Sequence, residues 1–447
     1  MAKTKAVYTR GSIGGTMLKT GVSMLPATLA ISGYNIVDTY FIGRLPGATP
    51  LAAMGFTFPV VMLIGCVFRG LGVGLMSTSA QALGANKNAK AAKLISSGIL
   101  LITLFSVGLG LLGMATVGYV FGAFGAEGEA LELVRGYMNI WYFGCLTASL
   151  AMSGNDVLIA SGASKTAGAM MMGGLALNAL LDPLFIFGWG FVPGMGIRGA
   201  ALATILSQCA STVTVLTILY RKFELLEFKP IPWRLLRGAW RTMIRYAVPA
   251  TLGMLMLPVG AAVITRITAS FGDAAVAAVA AAGRLEMIAF IFPMALGMSL
   301  MPMVSQNFGA RLYQRIRDCH NFSMGFAFAY LMCMSVVYVF FARYLVPVFS
   351  ADAEVQSIMT LCMRIVPWGF AAIEIHRYGG FFYTGCGRPA AAAWLNGLRV
   401  IGLLIPFSLA AMYFRSLPGL FLARLAADLL AGATAYLLSR RLTRSLR

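Results

Sequence analysis

The sequence predicts an all-α integral membrane protein of twelve transmembrane helices, arranged as two six-helix lobes related by a pseudo-twofold axis. Three observations carry this. The 447 residues are 59% hydrophobic and only 11% charged, against roughly 25% charged in soluble domains, and the mean hydropathy is +0.81. The chain also repeats itself at a steady offset of 223–225 residues. Pro26-Ala27-Thr28 returns as Pro249-Ala250-Thr251, Gln81 to Ala85 as Gln306 to Ala310, Gly162 to Lys165 as Gly385 to Arg388, and Pro193-Gly194 as Pro418-Gly419. Finally, the charges segregate by connecting segment, with cations in one alternate set and acids in the other. Doubled halves with a path between them are a common transporter plan.

A bilayer-spanning helix needs about 20 mostly apolar residues. Such runs occur at 14–43, 51–83, 94–122, 131–160, 166–188, 197–220, 243–270, 276–308, 321–349, 355–384, 390–413 and 418–439. The first follows Lys3, Lys5 and Arg10 and has no short apolar core with a cleavage site, so it is expected to be a retained helix rather than a signal peptide. Gly43 to Gly47 separates it from the second, whose alternating Gly70, Gly72 and Gly74 suit close helix packing. Lys87, Lys90 and Lys93 precede the third, and Glu127, Glu129 and Glu132 introduce the fourth. Lys165 opens the fifth, and Gly188 to Gly194 divides it from the sixth. The basic stretch from Arg221 to Trp240 is the longest connection. It is expected to divide an N-lobe of residues 1–220 from a C-lobe of 241–447, with 221–240 as the loop between them.

In the second half, Asp273 separates spans seven and eight, and Arg311 to Arg317 spans eight and nine. Asp352 and Glu354 precede the tenth span, Arg388 the eleventh, and Ser416 to Gly419 the twelfth. By the positive-inside rule both termini and the central loop are expected in the cytoplasm of a cell whose plasma membrane, the inner membrane in bacteria, holds the chain.

The composition excludes several function classes. A net charge of +20 falls in short loops and tails, without a nucleic-acid-binding motif. The seven cysteines are scattered, odd in number and without a CxxC spacing, which indicates neither a disulfide framework nor a zinc cluster. Gly162 to Thr166 lacks the glycine that a phosphate-binding loop places before its lysine. Glu374 and His376, two apart on a helix, face different ways and make no metal pair. Neither catalysis nor a bound cofactor is expected.

An ionisable residue within a span is costly and by default functional. Asp38 has Tyr34 and Asn35 one turn earlier on its face. Asp182 follows Asn178 by four residues and precedes Pro183, which is expected to kink or end the helix there. Asn155, Asp156 and Thr204 add polar groups to the same half. A carboxylate taken out of water binds a proton more readily, and the same carboxylate, amide and hydroxyl oxygens suit a hard cation such as Na⁺. The position aligned with Asp38 in the second half is near Val263, so the acid belongs to the first half alone. The second half has Arg266, Arg284, Glu286, Glu374, His376, Arg377 and the i,i+4 pair Arg424 and Asp428, which read as buried ion pairs or snorkelling side chains. The rival reading is a second coupling or substrate-contact site at Glu286 or Glu374. Pro26 gives the first helix a bending point.

Asp38 to Gly43, Leu51 to Gly55, Gln81 to Ala85, Gly162 to Lys165, Asn178 to Phe187 and Gly199 to Thr204 together resemble the multidrug and toxic compound extrusion (MATE) transporters, closest to their DinF-like branch. The resemblance implies two six-helix lobes around a central cleft and export of cationic amphipathic compounds in exchange for H⁺ or Na⁺. It carries the family's N-lobe cluster onto Asp38, Asn155, Asn178, Asp182 and Thr204, with Na⁺ at Asp38, Asn178, Asp182 and Thr204 where Na⁺ is the ion. Tyr34, Asn35, Pro26, Glu286, Glu374 and Arg284 are candidates for substrate contact or gating, although Glu286, Glu374 and their basic neighbours depart from the family's pattern. The chain is expected to work in the lipid bilayer as a monomer, without a nucleic-acid partner. An acid that some branches carry in the seventh helix has no match between Thr242 and Ser270. The alternative within the superfamily is a lipid-linked oligosaccharide flippase, for which Arg69, Arg266, Arg284, Arg364 and Arg377 supply intramembrane cations. A passive channel or a receptor without coupling is a reading of another class, against which the doubled halves argue.

Overall fold

The computed structural model describes residues 6–47, 49–190, 192–227 and 229–446, the side chains of Ser32 and Asn35 excepted. The fold is all-α and multi-spanning. Its helices are α1 (Ile13–Ile42), α2 (Thr49–Gly84), α3 (Asn88–Ala123), α4 (Gly128–Phe143 with Cys145–Ala160), α5 (Ser164–Phe187) and α6 (Ile197–Arg221). They continue as α7 (Trp233–Ala269), α8 (Asp273–Gly309), α9 (Tyr313–Val348), α10 (Ala353–Gly385), α11 (Pro389–Tyr413) and α12 (Leu417–Ser445). Among the described residues ten helices are long and apolar enough to cross a membrane, and α4 makes an eleventh although its two parts meet at 49°. The 30-residue α1 completes the twelve spans.

Several spans differ from the continuous helices expected. In α4 the break falls at Gly144, where an added Cβ would run into Ile205. In α10 a 3₁₀ turn, Val366–Gly369, interrupts the helix at Pro367, which has no N–H for the i−4 bond. In α11 the residues Leu398–Leu404 widen into a π-helix. Helix α5 continues through Pro183 to Phe187, so Asp182 lies within a helix rather than at its end.

Helix α7 begins at Trp233, well inside the stretch expected as a loop. Its first turns are amphipathic and packed on α3. Trp240 Nε1 donates to the Ser97 carbonyl at 2.8 Å, and Leu236 and Met243 are buried. Arg234, Arg237 and Arg241 lower the hydropathy of these turns without preventing the helix.

The contacts define two compact units, one containing Ser23–Val248 and the other Tyr8–Val22 with Pro249–Arg447. The divisions fall within helices, beside the repeated prolines Pro26 and Pro249, and not in the 221–240 connection. The start of α7 joins the first unit because Gly74 admits the Met243 carbonyl and Gln81 Nε2 donates to Tyr246 Oη at 3.2 Å. The start of α1 joins the second unit in the corresponding way. Asn307 Nδ2 donates to the Tyr8 carbonyl at 3.1 Å, the Tyr8 N–H donates to Gln306 Oε1 at 3.1 Å, and Thr20 bonds Ser299. The repeated Gln81 and Gln306 therefore perform the same task in each unit.

Each unit has its own apolar core. Phe68, Phe121, Met138 and Trp141 pack together in the first, and Phe290, Tyr338, Met359 and Phe370 in the second. No disulfide links the cysteines, of which Cys209 and Cys333 are exposed.

Candidate functional site

The first unit buries two carboxyl groups in one place. Asp38 comes from α1 and is 7% exposed; Asp182 comes from α5 and is fully buried. They lie within electrostatic reach of one another, with Asn178 and Thr204 beside them. Asn178 sits one turn before Asp182 on the same face of α5, a consequence of the i,i+4 spacing. Its Nδ2 lies 3.3 Å from Asp182 Oδ1 and 3.3 Å from Thr204 Oγ1. The Thr204 hydroxyl donates to the Ala200 carbonyl of its own helix at 3.0 Å.

Three oxygens of this cluster have no hydrogen-bond donor: Asp38 Oδ1, Asp182 Oδ2 and Asn178 Oδ1. Buried acceptors are almost always satisfied in folded proteins, and an unsatisfied one costs about 1–3 kcal/mol. Three together form an oxygen-rich group whose chemistry suits a proton or a hard cation. Among the described residues no group of three or more His, Cys, Asp or Glu side chains converges, which is the pattern of a transition-metal centre.

The remaining expected residues divide. Tyr34 reaches the cluster, its hydroxyl beside Gly174 and Ser211 and interacting with Ser207 and Asp38. Asn155 is buried but turns back on its own helix, donating to the Ala151 carbonyl at 3.0 Å, with Oδ1 lacking a donor. The side chain of Asn35 lies outside the described residues. Pro26 lies inside α1 and leaves the Val22 carbonyl without its helical donor.

Sequence reasoning missed Tyr137, 5% exposed on α4, which lies within electrostatic reach of both Asp38 and Asp182. It also missed Ser207, fully buried one turn beyond Thr204. Asp156 is set apart from the carboxyl pair, against Gly72 and near Arg69.

The second unit neutralises most of its buried charge internally. Arg424 grips Glu286 through two hydrogen bonds, Nη1 to Oε1 at 3.0 Å and Nη2 to Oε2 at 2.5 Å. Asp428 is 3.9 Å from Arg424 but bonds Arg399 at 2.9 Å, so the four form a chain of alternating charge. Arg399 stands on the π-helical segment of α11. Glu374 is fully buried 2.9 Å from Arg377, and the Arg377 guanidinium lies over the Phe290 ring. His376 faces elsewhere, to Asn396 at 3.0 Å. Arg284 is exposed and has no acidic partner among the described residues.

The MatE family model matches residues 24–184 and 249–410, one match in each repeat. The chain is 31% identical to the FAD transporter of Shewanella oneidensis over 96% of this chain and 95% of that one. It is 24% identical to the multidrug export protein MepA of Staphylococcus aureus over 98% of this chain and 96% of that one. Among solved structures it is similar to the MATE transporter VcmN of Vibrio cholerae in its bent form, with a TM-score of 0.91 and 28% identity across 97% of both chains.

Proposed function

The chain belongs to the MatE family of membrane transporters, and from that premise we propose that it is a cation-coupled exporter of amphipathic small molecules working by alternating access. Its fold is the twelve-helix, two-lobe MATE architecture, and secondary active efflux is the activity of that class. The coupling ion is H⁺ or Na⁺, held by Asp38 and Asp182 with Asn178 and Thr204 orienting them; Asn155, which bonds its own helix, is an accessory at most. The single observation that carries this is the group of buried, donor-free oxygens on two neighbouring carboxyls. Binding of the cation removes the cost of a buried negative charge, and α1, lacking one helical hydrogen bond at Pro26, has a place to bend in response. The acid in α1 supports reading the chain as a member of the DinF-like branch.

For substrate, the buried acids of the first unit and the likeness to a multidrug export protein support lipophilic cations, whose contacts with aromatic rings contribute about 0.5–2 kcal/mol each. A second reading, export of an anionic nucleotide such as FAD, is favoured by the 31% identity to an FAD transporter over nearly the whole chain. The flippase reading shares the anionic chemistry and would require that lipid-linked sugars accumulate when the protein is absent. The testing experiment is transport in proteoliposomes with a pH gradient and a Na⁺ gradient imposed separately. One of the two should drive solute against its gradient. Solute movement that only ever follows its own gradient would make the protein a passive pore.

A further inference from the structure

The repeat that places Asp38 and Asp182 between α1 and α5 places the corresponding part of the second unit between α7 and α11. The position aligned with Asp38 is near Val263. Val263 lines a cavity of about 690 Å³, with Ala262, Arg266 and Ile267 beside it on α7 and Leu409 and Met412 opposite on α11. The equivalent place thus has the opposite character in the two units. One holds two buried acids; the other is an open, largely apolar groove whose Arg266, Leu409 and Met412 are exposed.

Arg266, like Arg284, stands outside the second unit's ion pairs, and of the two it alone lines this groove. Arg424, Arg399 and Arg377 each face a carboxylate, whereas Arg266 has no acidic partner among the described residues. Its position in the last turn of α7 lets it complement the helix dipole, and a snorkelling arginine would need nothing more. A dipole does not account for the open groove next to it. The volume is that of a small-molecule site, for which about 300–1,000 Å³ is usual. Besides Arg266 the walls are mostly aliphatic, with the Ser270 hydroxyl at one end and Met412, whose flexible thioether adapts to differently shaped rings, on α11. The one charge is a planar fork of donors suited to phosphate or carboxylate.

We propose that the α7–α11 cavity binds the transported molecule and selects an amphipathic anion, with its ring system against Val263, Leu409 and Met412 and its anionic group on Arg266. This rests on the reading of the chain as an exporter and deepens it by naming the substrate class; it is independent of which cation is coupled. The carboxylates of the first unit then carry the coupling ion alone, and Arg266 sets specificity.

The test uses two ligands with one ring system, riboflavin and riboflavin 5′-phosphate. Each is titrated by fluorescence anisotropy into the purified full-length protein in phosphatidylcholine nanodiscs, with rhodamine 6G as a cationic counterpart. The phosphate should bind at least about tenfold more tightly than riboflavin, the scale of one charge-assisted hydrogen bond. Arg266→Gln should bring that ratio near one and leave riboflavin itself unchanged. Leu409→Trp, on an exposed position that projects into the cavity, should weaken both flavins.

Equal affinities in the parent protein, a ratio unmoved by Arg266→Gln, or tighter binding of rhodamine 6G that Leu409→Trp abolishes would each overturn the proposal. So would competition by phosphatidylglycerol in the nanodisc that removes the phosphate preference, since the cavity would then be a lipid site. If the binding pattern holds but proteoliposomes never move solute uphill, the exporter reading falls and the site stands. If Arg266→Gln still exports riboflavin 5′-phosphate uphill with its preference intact, the site falls and the exporter stands.

Discussion

Asn178 Nδ2 lies 3.3 Å from Asp182 Oδ1 one turn along α5, so the amide holds one oxygen of the carboxyl and leaves Oδ2 free of donors. The arrangement fixes the direction in which the carboxyl presents its open side. Asn178→Ala removes that constraint and leaves the acid in place. The concentration of coupling ion giving half-maximal exchange should rise by roughly tenfold, the size of one hydrogen bond to a charged group. Gradient titration of the reconstituted variant measures it, and an unchanged midpoint would reduce Asn178 to helix packing.

The Glu286–Arg424 pair should matter to stability more than to coupling. Breaking a buried pair by removing one partner costs on the order of 3–5 kcal/mol. Glu286→Gln should therefore lower the thermal midpoint in detergent, and Glu286→Leu combined with Arg424→Met should recover most of the loss. If the single variant loses coupling at unchanged stability, a second coupling site in the C-lobe is indicated instead.

Glu374→Gln should be milder than Asp182→Asn in transport. The arginine it leaves behind, Arg377, is 35% exposed at its side chain and keeps its contact with the Phe290 ring, whereas Asp182 is part of the coupling pair. Side-by-side export assays at matched protein levels decide this, and equal losses would contradict it.

Gly74→Ala should destabilise the first unit. An added Cβ would stand 2.7 Å from the Met243 carbonyl oxygen, a backbone atom that cannot turn aside. Overpacking of this kind costs about 1–3 kcal/mol. Gly238→Ala, also within a helix but with nothing within 4 Å, should be neutral or slightly stabilising. Thermal midpoints of the two variants provide the comparison.

The spans were legible because a bilayer demands long apolar runs, and the doubled halves because short motifs return at one offset. The breaks in α4, α10 and α11 were not. They arise from Gly144 against Ile205, a proline within a turn, and a π-helical widening, none of which alters hydropathy. The start of α7 was hidden for the opposite reason, since its arginines resemble a loop while Trp240 and Met243 pack it down. Asp38, Asn178 and Asp182 stood out as polar groups in apolar sequence. Tyr137 did not, because a tyrosine in a span is ordinary. Arg424 was matched to Asp428 by spacing, yet its close partner, Glu286, is 138 residues away, a distance that no local pattern spans.

The central claim is that Asp38 carries the coupling ion, and replacing it by its neutral isostere tests this most directly. Asp38→Asn protein, reconstituted and shown to be folded, is assayed for uphill export under whichever of the H⁺ and Na⁺ gradients drives the parent protein. Gradient-driven export should be abolished while solute binding persists. Export against the gradient at the parent rate would contradict the account and move the coupling site away from the α1–α5 carboxyls.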